Sequence, residues 1–264
     1  MQTRNVDSTV EGIEPKMIQN GRVAMVSGAG SGIGKDVAKS LAEQGVKVAV
    51  FDLNSLKAEE TTDEILSSGA QAIALSGNVA CRDNCFAVAE TIIQTWGVLD
   101  IQVNCAGILI DNVIQRITEE NWDLIHSVNQ KGVLFCMQAA IEHMKENRYG
   151  RIINLSSGAY IGNPGQAAYA SSKAGVVTLS KVAAQEFSRY NVTVNCIAPG
   201  MVETPMTAGM PKEAFEKIVS SIPLGRVGQP ADISHLVAAL AAEEAGYITG
   251  QTIFIDGGAS LGRV

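Results

Sequence analysis

Short, mostly apolar runs alternate along this chain with amphipathic segments, and that alternation limits its fold more than any other feature. The runs RVAMVS (22–27), VKVAVFD (46–52), AQAIALSGN (70–78), LDIQVN (99–104), RIINLS (151–156), VTVNCIA (192–198) and QTIFID (251–256) read as strands. Helical patterns fill the gaps, at 34–45, 55–68, 83–96, about 119–145, about 168–189 and 231–242. A strand apolar on both faces must be covered on both sides, which implies a parallel sheet between two helical layers. Right-handed crossovers then make it a doubly wound α/β sheet. No repeat, low-complexity tract or linker divides the chain. A single domain is expected over 21–264, after a flexible leader at 1–20 that carries Pro15 and mixed charge.

Composition narrows the function classes. Hydrophobic residues make up 46% of the 264 and the formal charge is −7, so nothing overall attracts nucleic acid or an anionic membrane. The N-terminus lacks a continuous apolar stretch, and no run reaches the roughly 18 apolar residues of a membrane span. A cytoplasmic protein is expected. Its five cysteines, Cys81, Cys85, Cys105, Cys136 and Cys196, form no C-x-x-C pair. Cys81 and Cys85 lie four apart with no further zinc ligands nearby, so reduced thiols and no metal are expected.

The least regular stretch is MVETPMTAGMPKEAFEKIVSSIPL (201–224), where Pro205, Pro211 and Pro223 bracket a helical fragment. Met201, Met206 and Met210 supply flexible apolar side chains that can repack around a ligand. This stretch is the candidate substrate lid.

Ser27-Gly28-Ala29-Gly30-Ser31-Gly32-Ile33-Gly34 follows the first strand and opens the first helix. Glycines permit the tight turn there and let backbone amides approach a pyrophosphate at the helix N-terminus. Asp52 ends the second strand, 18 residues beyond Gly34. A carboxylate in that place can accept hydrogen bonds from the adenosine ribose and repels a 2′-phosphate. No Arg or Lys falls between Gly28 and Gly34, and Leu53 and Asn54 follow the Asp, so NAD is expected over NADP. Asp52 as a cap on the following helix is the plainer alternative.

Tyr169-Ala170-Ser171-Ser172-Lys173 places a phenol and an ammonium at i and i+4, on one helix face. The lysine charge is expected to lower the tyrosine pKa from about 10, making it a proton donor and acceptor for an alcohol or ketone oxygen.

With these motifs in order, the chain from about Arg22 onward resembles the short-chain dehydrogenase/reductase family. Ser27-Gly28 with Gly32 and Gly34 looks like its T-G-x-x-x-G-x-G, with Ser for Thr. Asn104-Cys105-Ala106-Gly107 looks like N-N-A-G, with Cys second, and Asn129 matches the helix asparagine. Pro199-Gly200 with Val202 and Thr204 looks like P-G-x-x-x-T, and Asn78-Val79 stands where many relatives have Asp-Val. The resemblance implies a Rossmann-type fold and a nicotinamide cofactor held by Gly28, Ser31, Gly32, Ile33, Gly34, Asp52, Leu53, Asn78, Val79, Asn104, Ala106, Gly107, Tyr169, Lys173, Pro199, Gly200, Val202 and Thr204. It implies Tyr169 as general acid and base, Lys173 as its tuner and ribose contact, Asn129 as anchor of a proton-relay water, and a serine on the substrate oxygen. Counting forward along the strand from Gly150-Arg151 gives Ser157, whereas counting back from Tyr169 gives Ser156. Slipping a strand flips every side chain, so Ser157 is taken.

The resemblance further implies hydride transfer between NAD and a small or medium secondary alcohol or ketone. The segments GRIINLSS, GQAAYASSKAG and FIDGG are also similar to 3-oxoacyl-carrier-protein reductases, with Arg148 and Arg189 as candidates for meeting an acidic partner. A 3-oxoacyl thioester is therefore the alternative substrate. A non-catalytic NAD-binding regulator is the distant alternative; it predicts loss of Tyr169 or Lys173, and both are present. Family likeness implies a homotetramer built through the two long helices and the last strand.

Overall fold

The computed structural model describes residues 18–261. The expected leader lies outside the described residues as far as residue 17, and Ile18, within its span, is buried against the core. The seven strands are β1 (Val23–Ser27), β2 (Lys47–Asp52), β3 (Ala72–Ser76), β4 (Ile101–Asn104), β5 (Gly150–Leu155), β6 (Val192–Pro199) and β7 (Thr252–Ile255). They form one parallel sheet in the order β3-β2-β1-β4-β5-β6-β7. The chain winds outward from β1 to β3, returns across the sheet, and winds the other way from β4. The crevice above the carboxyl ends of β1 and β4 is thus the switch point, where ligands bind in such sheets.

Eight α-helices cover the sheet: α1 (Gly32–Glu43), α2 (Ser55–Ser67), α3 (Arg82–Trp96), α4 (Glu119–His126), α5 (Gly132–Asn147), α6 (Ala167–Phe187), α7 (Lys212–Ser221) and α8 (Pro230–Ala241). Strand side chains alternate between two cores, as the pleat requires. Ala24 and Val26 pack with Val37 and Leu41 of α1 and with Ile233 and Val237 of α8. Val23 and Met25 pack with Ile92 of α3, Met144 of α5 and Val176 of α6. This double burial is why the strands are largely apolar on both faces, with buried polar exceptions such as Gln102 and Asn104 on β4 and Thr193 and Asn195 on β6. Gly45, at φ +87°, takes the left-handed turn that ends α1 and feeds β2.

Two features depart from the expected pattern. The helix expected over 119–145 is broken, because Ser127–Lys131 form a π-turn between α4 and α5. Such a turn inserts an extra residue into the ladder and is common at functional sites. The stretch 201–224 holds α7, and among the described residues α7 is the one α-helix with no buried residue. Among the described residues no helix is long and apolar enough to cross a membrane.

Candidate active site

The turn from β1 into α1 brings the chain very close to the end of β4. A side chain at Gly28 (φ +67°) would put its Cβ 2.7 Å from the Ala106 Cα, so only glycine fits. The N-terminus of α1 is left open: Ser31 makes no side-chain cap, and the first turn has no acidic residue. Free amides and the positive end of the helix dipole therefore face the crevice, an arrangement suited to a phosphate.

A groove of about 330 Å³ runs from this point across the switch. Its walls include twelve of the expected cofactor residues: Gly28, Ser31, Gly32, Ile33, Gly34, Asp52, Leu53, Asn78, Val79, Ala106, Gly107 and Thr204. Asp52 is held firmly at one end. Its Oδ2 accepts from the Gly30 N–H and its Oδ1 from the Asn54 N–H, both at 2.9 Å. The nearby bases are differently engaged, since Lys35 and Lys39 both pair with Glu64, at 2.6 and 2.9 Å.

Asn104, Tyr169, Lys173, Pro199, Gly200 and Val202 lie outside the groove lining. The buried Asn104 amide donates to Asn154 Oδ1 at 2.7 Å, tying β4 to β5 beneath the floor. Val202 is buried and bridges to Gly228. Pro199 is buried at the end of β6, and Gly200 approaches Asp256 so closely that an added Cβ would lie 2.8 Å from its Cα. Cys105 of the Asn104–Gly107 segment and Pro205 and Met206 of the stretch 201–224 also line the groove, with Gly77, Ile108 and Val128, which motif reading missed. The last three carry no distinctive chemistry, and only their adjacency to motif residues hinted at them.

At the other end the π-turn turns Asn129 inward. Its Oδ1 accepts from the Ile108 N–H at 2.8 Å, while Nδ2 donates to the Ile108 carbonyl at 2.9 Å and to Ser172 Oγ at 3.1 Å. Ser172 in turn donates to the Tyr169 carbonyl at 2.7 Å, which links the π-turn to the first turn of α6. A Cβ on Gly107 would lie 3.3 Å from both Asn129 Oδ1 and Lys173 Nζ, so three elements converge on a spot kept clear by glycine. Lys173 is buried, and its Nζ donates to the Leu155 carbonyl at 2.8 Å.

The two candidate serines face different surroundings. Ser156 is buried and donates to the Lys173 carbonyl at 3.0 Å. Ser157 is half-buried, accepts from the Ala159 N–H at 3.2 Å, and lies beside the Tyr169 phenol.

Protonation differs from the expected pattern. Burial pushes the Tyr169 phenol above its ordinary value, the Ser157 hydroxyl pulls the other way, and the Asp111 charge adds to the rise. Lys173 does not offset this, because burial lowers its own pKa to about 8 and its Nζ is turned to the Leu155 carbonyl. The expected depression of the tyrosine therefore gives way to desolvation.

Lys173 also bears on stability. Its folded value of about 8 lies below the ordinary 10.5, so between the two the unfolded chain binds more protons and stability rises with pH. Cys105 and Cys196, pushed up from 9.0 to about 12 and about 11, act in the opposite sense above pH 9. Urea midpoints of the nucleotide-free protein are expected to rise between about pH 8 and 9 and then turn over. Lys173→Met is expected to remove the rise and keep the fall; a rise that survives the substitution belongs to another group.

Among the described residues no group of three or more His, Cys, Asp or Glu is placed to hold a metal ion. Residues 28–260 match the family model described as "Enoyl-(Acyl carrier protein) reductase". The chain is 45% identical over 238 residues to the "3-oxoacyl-[acyl-carrier-protein] reductase FabG" of Staphylococcus aureus, covering 89% of this chain and 96% of that protein. It is 40% identical over 247 residues to the "(2S)-[(R)-hydroxy(phenyl)methyl]succinyl-CoA dehydrogenase subunit BbsD" of Thauera aromatica, covering 92% and 98%. A crystal structure of a putative short-chain alcohol dehydrogenase from Sinorhizobium meliloti superposes with a TM-score of 0.89 at 36% identity, covering 93% of this chain and 98% of that one. With the parallel sheet, the glycine turn and the Tyr169–Lys173 helix already in view, these likenesses agree: the chain belongs to the short-chain dehydrogenase/reductase family, in its group similar to 3-oxoacyl-carrier-protein reductases.

Proposed function

We propose that the protein is an NAD-dependent oxidoreductase acting on the secondary alcohol or ketone of a small-molecule substrate. The observation that carries the cofactor half is Asp52, whose two oxygens are each held by a backbone N–H at the end of the groove. A carboxylate fixed in this way has lone pairs left for ribose hydroxyls and repels a 2′-phosphate. The open α1 N-terminus and the clear spot above Gly107 fit the pyrophosphate and the nicotinamide ribose of such a group. When bound, NAD supplies the hydride acceptor, or as NADH the donor.

The chain's own residues handle the proton. Tyr169 Oη gives a proton to the substrate oxygen in reduction and takes one in oxidation. A phenol raised by burial arrives protonated, so oxidation is expected to gain rate toward alkaline pH. Ser157 donates to the substrate oxygen as charge develops there. Lys173, with Asn129 and Ser172 behind it, steadies the tyrosine helix and hands protons toward solvent. Residues 201–224 serve as the substrate lid, a reading supported by α7 having no buried residue.

A second reading, reduction of a 3-oxoacyl thioester, is favoured by the likeness to the Staphylococcus aureus reductase, and the likeness to the Thauera aromatica dehydrogenase also points to an acyl thioester. Arg148 and Arg189 remain the candidates for meeting an acidic partner: the exposed Arg148 guanidinium donates to the Arg189 backbone carbonyl at 3.1 Å, and the Arg189 guanidinium lies over the Tyr190 ring. The two readings share one chemistry, because a 3-hydroxyacyl thioester is itself a secondary alcohol. We further propose a homotetramer assembled through α4, α5, α6 and the edge strand β7, beside which a cleft of about 670 Å³ opens. A single-chain mass in solution overturns that assembly.

The test is reduction of NAD, and separately of NADP, over a panel of secondary alcohols that includes 3-hydroxyacyl thioesters, with Ser157→Ala and Ser156→Ala beside the wild type. NAD reduction concentrated in one alcohol class is expected, with a loss of about 10²–10³-fold in kcat for Ser157→Ala. An equal loss for Ser156→Ala alone would exchange the serines. Activity confined to the thioesters moves the substrate to the second reading.

A further inference from the structure

Behind the groove wall, Cys136 of α5 donates its S–H to Cys85 of α3 at 3.7 Å, and Cys85 donates to the Val79 carbonyl at 3.4 Å. Both thiols are buried, 51 residues apart in sequence, and neither has a part in the proposed reaction. Their position ties them to it. Val79 and its neighbour Asn78 line the groove. On the other side Val79 packs on Gly132, where an added Cβ would lie 2.9 Å from Val79 Cγ2. Gly132 directly follows the π-turn that holds Asn129. The thiol pair therefore stands at the joint of the groove wall, the helix carrying the wall's support, and the relay asparagine.

We propose that Cys85 and Cys136 are a redox site that closes to a reversible disulfide under peroxide, cross-linking α3 to α5 and weakening nucleotide binding in the groove. The effect on binding rests on the nucleotide reading above; the disulfide itself does not. Closing the bond means bringing the sulfurs from 3.7 Å to about 2.05 Å. It also removes the S–H that the Val79 carbonyl now accepts.

The first sulfur to react is Cys85. It lies in the first turn of α3, where the helix N-terminus favours thiolate and where local opening costs least. The S–H donated by Cys136 also lowers the Cys85 pKa and raises that of Cys136. The Cys85 sulfur attacks one oxygen of hydrogen peroxide, the O–O bond breaks, and a sulfenic acid forms with loss of one water. The Cys136 sulfur then displaces the sulfenic oxygen as a second water, forming the S–S bond. The two thiols lose two electrons and two protons, and the peroxide takes up both. The half-buried Cys105 and the buried Cys196 differ, because desolvation pushes them up to about 12 and about 11.

The test uses the reduced full-length protein, treated with hydrogen peroxide and then alkylated under denaturing conditions. Of the five thiols, two are expected to resist alkylation, a Cys85–Cys136 peptide to be recovered, and dithiothreitol to restore both. Affinity for NADH, read by fluorescence, is expected to fall about fivefold or more on oxidation. Cys85→Ser and Cys136→Ser are expected to keep the affinity of the reduced wild type through the same treatment. Five alkylatable thiols after treatment, or a link to any other cysteine, overturns the site. A Cys85–Cys136 link with unchanged affinity overturns the coupling to the groove. Reduced protein that binds no NADH counts against the nucleotide reading, and the thiol count still judges the disulfide.

Discussion

Tyr169→Phe is expected to lower kcat by about 10²–10⁴-fold, with nucleotide affinity unchanged. The substitution removes one oxygen and keeps the ring, which is half-buried in the first turn of α6. Neither the Asn129–Ser172 links nor the Lys173 contact to Leu155 uses the phenol oxygen, so the scaffold keeps its hydrogen bonds. What disappears is the group that moves the proton. The pH dependence carries a second check. Burial holds the phenol protonated above its ordinary range, so the wild type should oxidise alcohols faster as pH rises and reduce ketones more evenly across neutral pH. In the Phe variant the residual oxidation should lose that alkaline slope. A variant that keeps near wild-type kcat assigns the proton to another group, and the half-buried Ser157 hydroxyl is the one beside it.

The sheet was legible because its physics is local. A strand buried on both faces is apolar at most of its positions, and runs such as VKVAVFD declare this without reference to the rest of the chain. The glycine turn was equally open to reading, since Gly28 answers to a close approach that no other residue tolerates. The π-turn was not. Inserting one residue into a helix leaves the apolar periodicity of 119–145 almost untouched, so the break at Ser127–Lys131 appears only in the backbone. Asn129 was named through family likeness, but its grip on Ile108 depends on that break.

Electrostatics was the least legible part. An i, i+4 Tyr–Lys pair on a helix surface would behave as the spacing suggests, with the ammonium favouring phenolate. Here Lys173 is buried and Tyr169 half-buried, and desolvation acts on each against its charged form. Asp111, which adds to the rise at Tyr169, sits in a loop with no motif to mark it. The Cys85–Cys136 contact was hidden for a similar reason: two helices distant in sequence bring the sulfurs together, and no spacing rule records it.

Asp52→Ala is expected to lower kcat/KM for NAD by about 10–100-fold, the loss of charge-assisted hydrogen bonds worth roughly 1.5–3 kcal/mol. For NADP the same change should raise kcat/KM, because a negative charge and its bulk leave the place where a 2′-phosphate would lie. Lys57 strengthens this expectation. A Cβ on Gly30 would lie 2.8 Å from the Lys57 Cβ and 2.9 Å from Asp52 Oδ2, so this lysine stands beside the carboxylate. With Asp52 gone, Lys57 is the cation nearest to a phosphate there, whereas Lys35 and Lys39 remain with Glu64. The variant also frees the Gly30 and Asn54 N–H groups, two donors that suit a phosphate better than a hydroxyl. The ratio of the two cofactors should therefore move further than either rate alone. If the wild type already prefers NADP and Asp52→Ala leaves that preference intact, Asp52 is a clamp for the glycine turn and no more. The thioester reading would then gain, since an NADP pool held reduced suits reduction of a 3-oxo group.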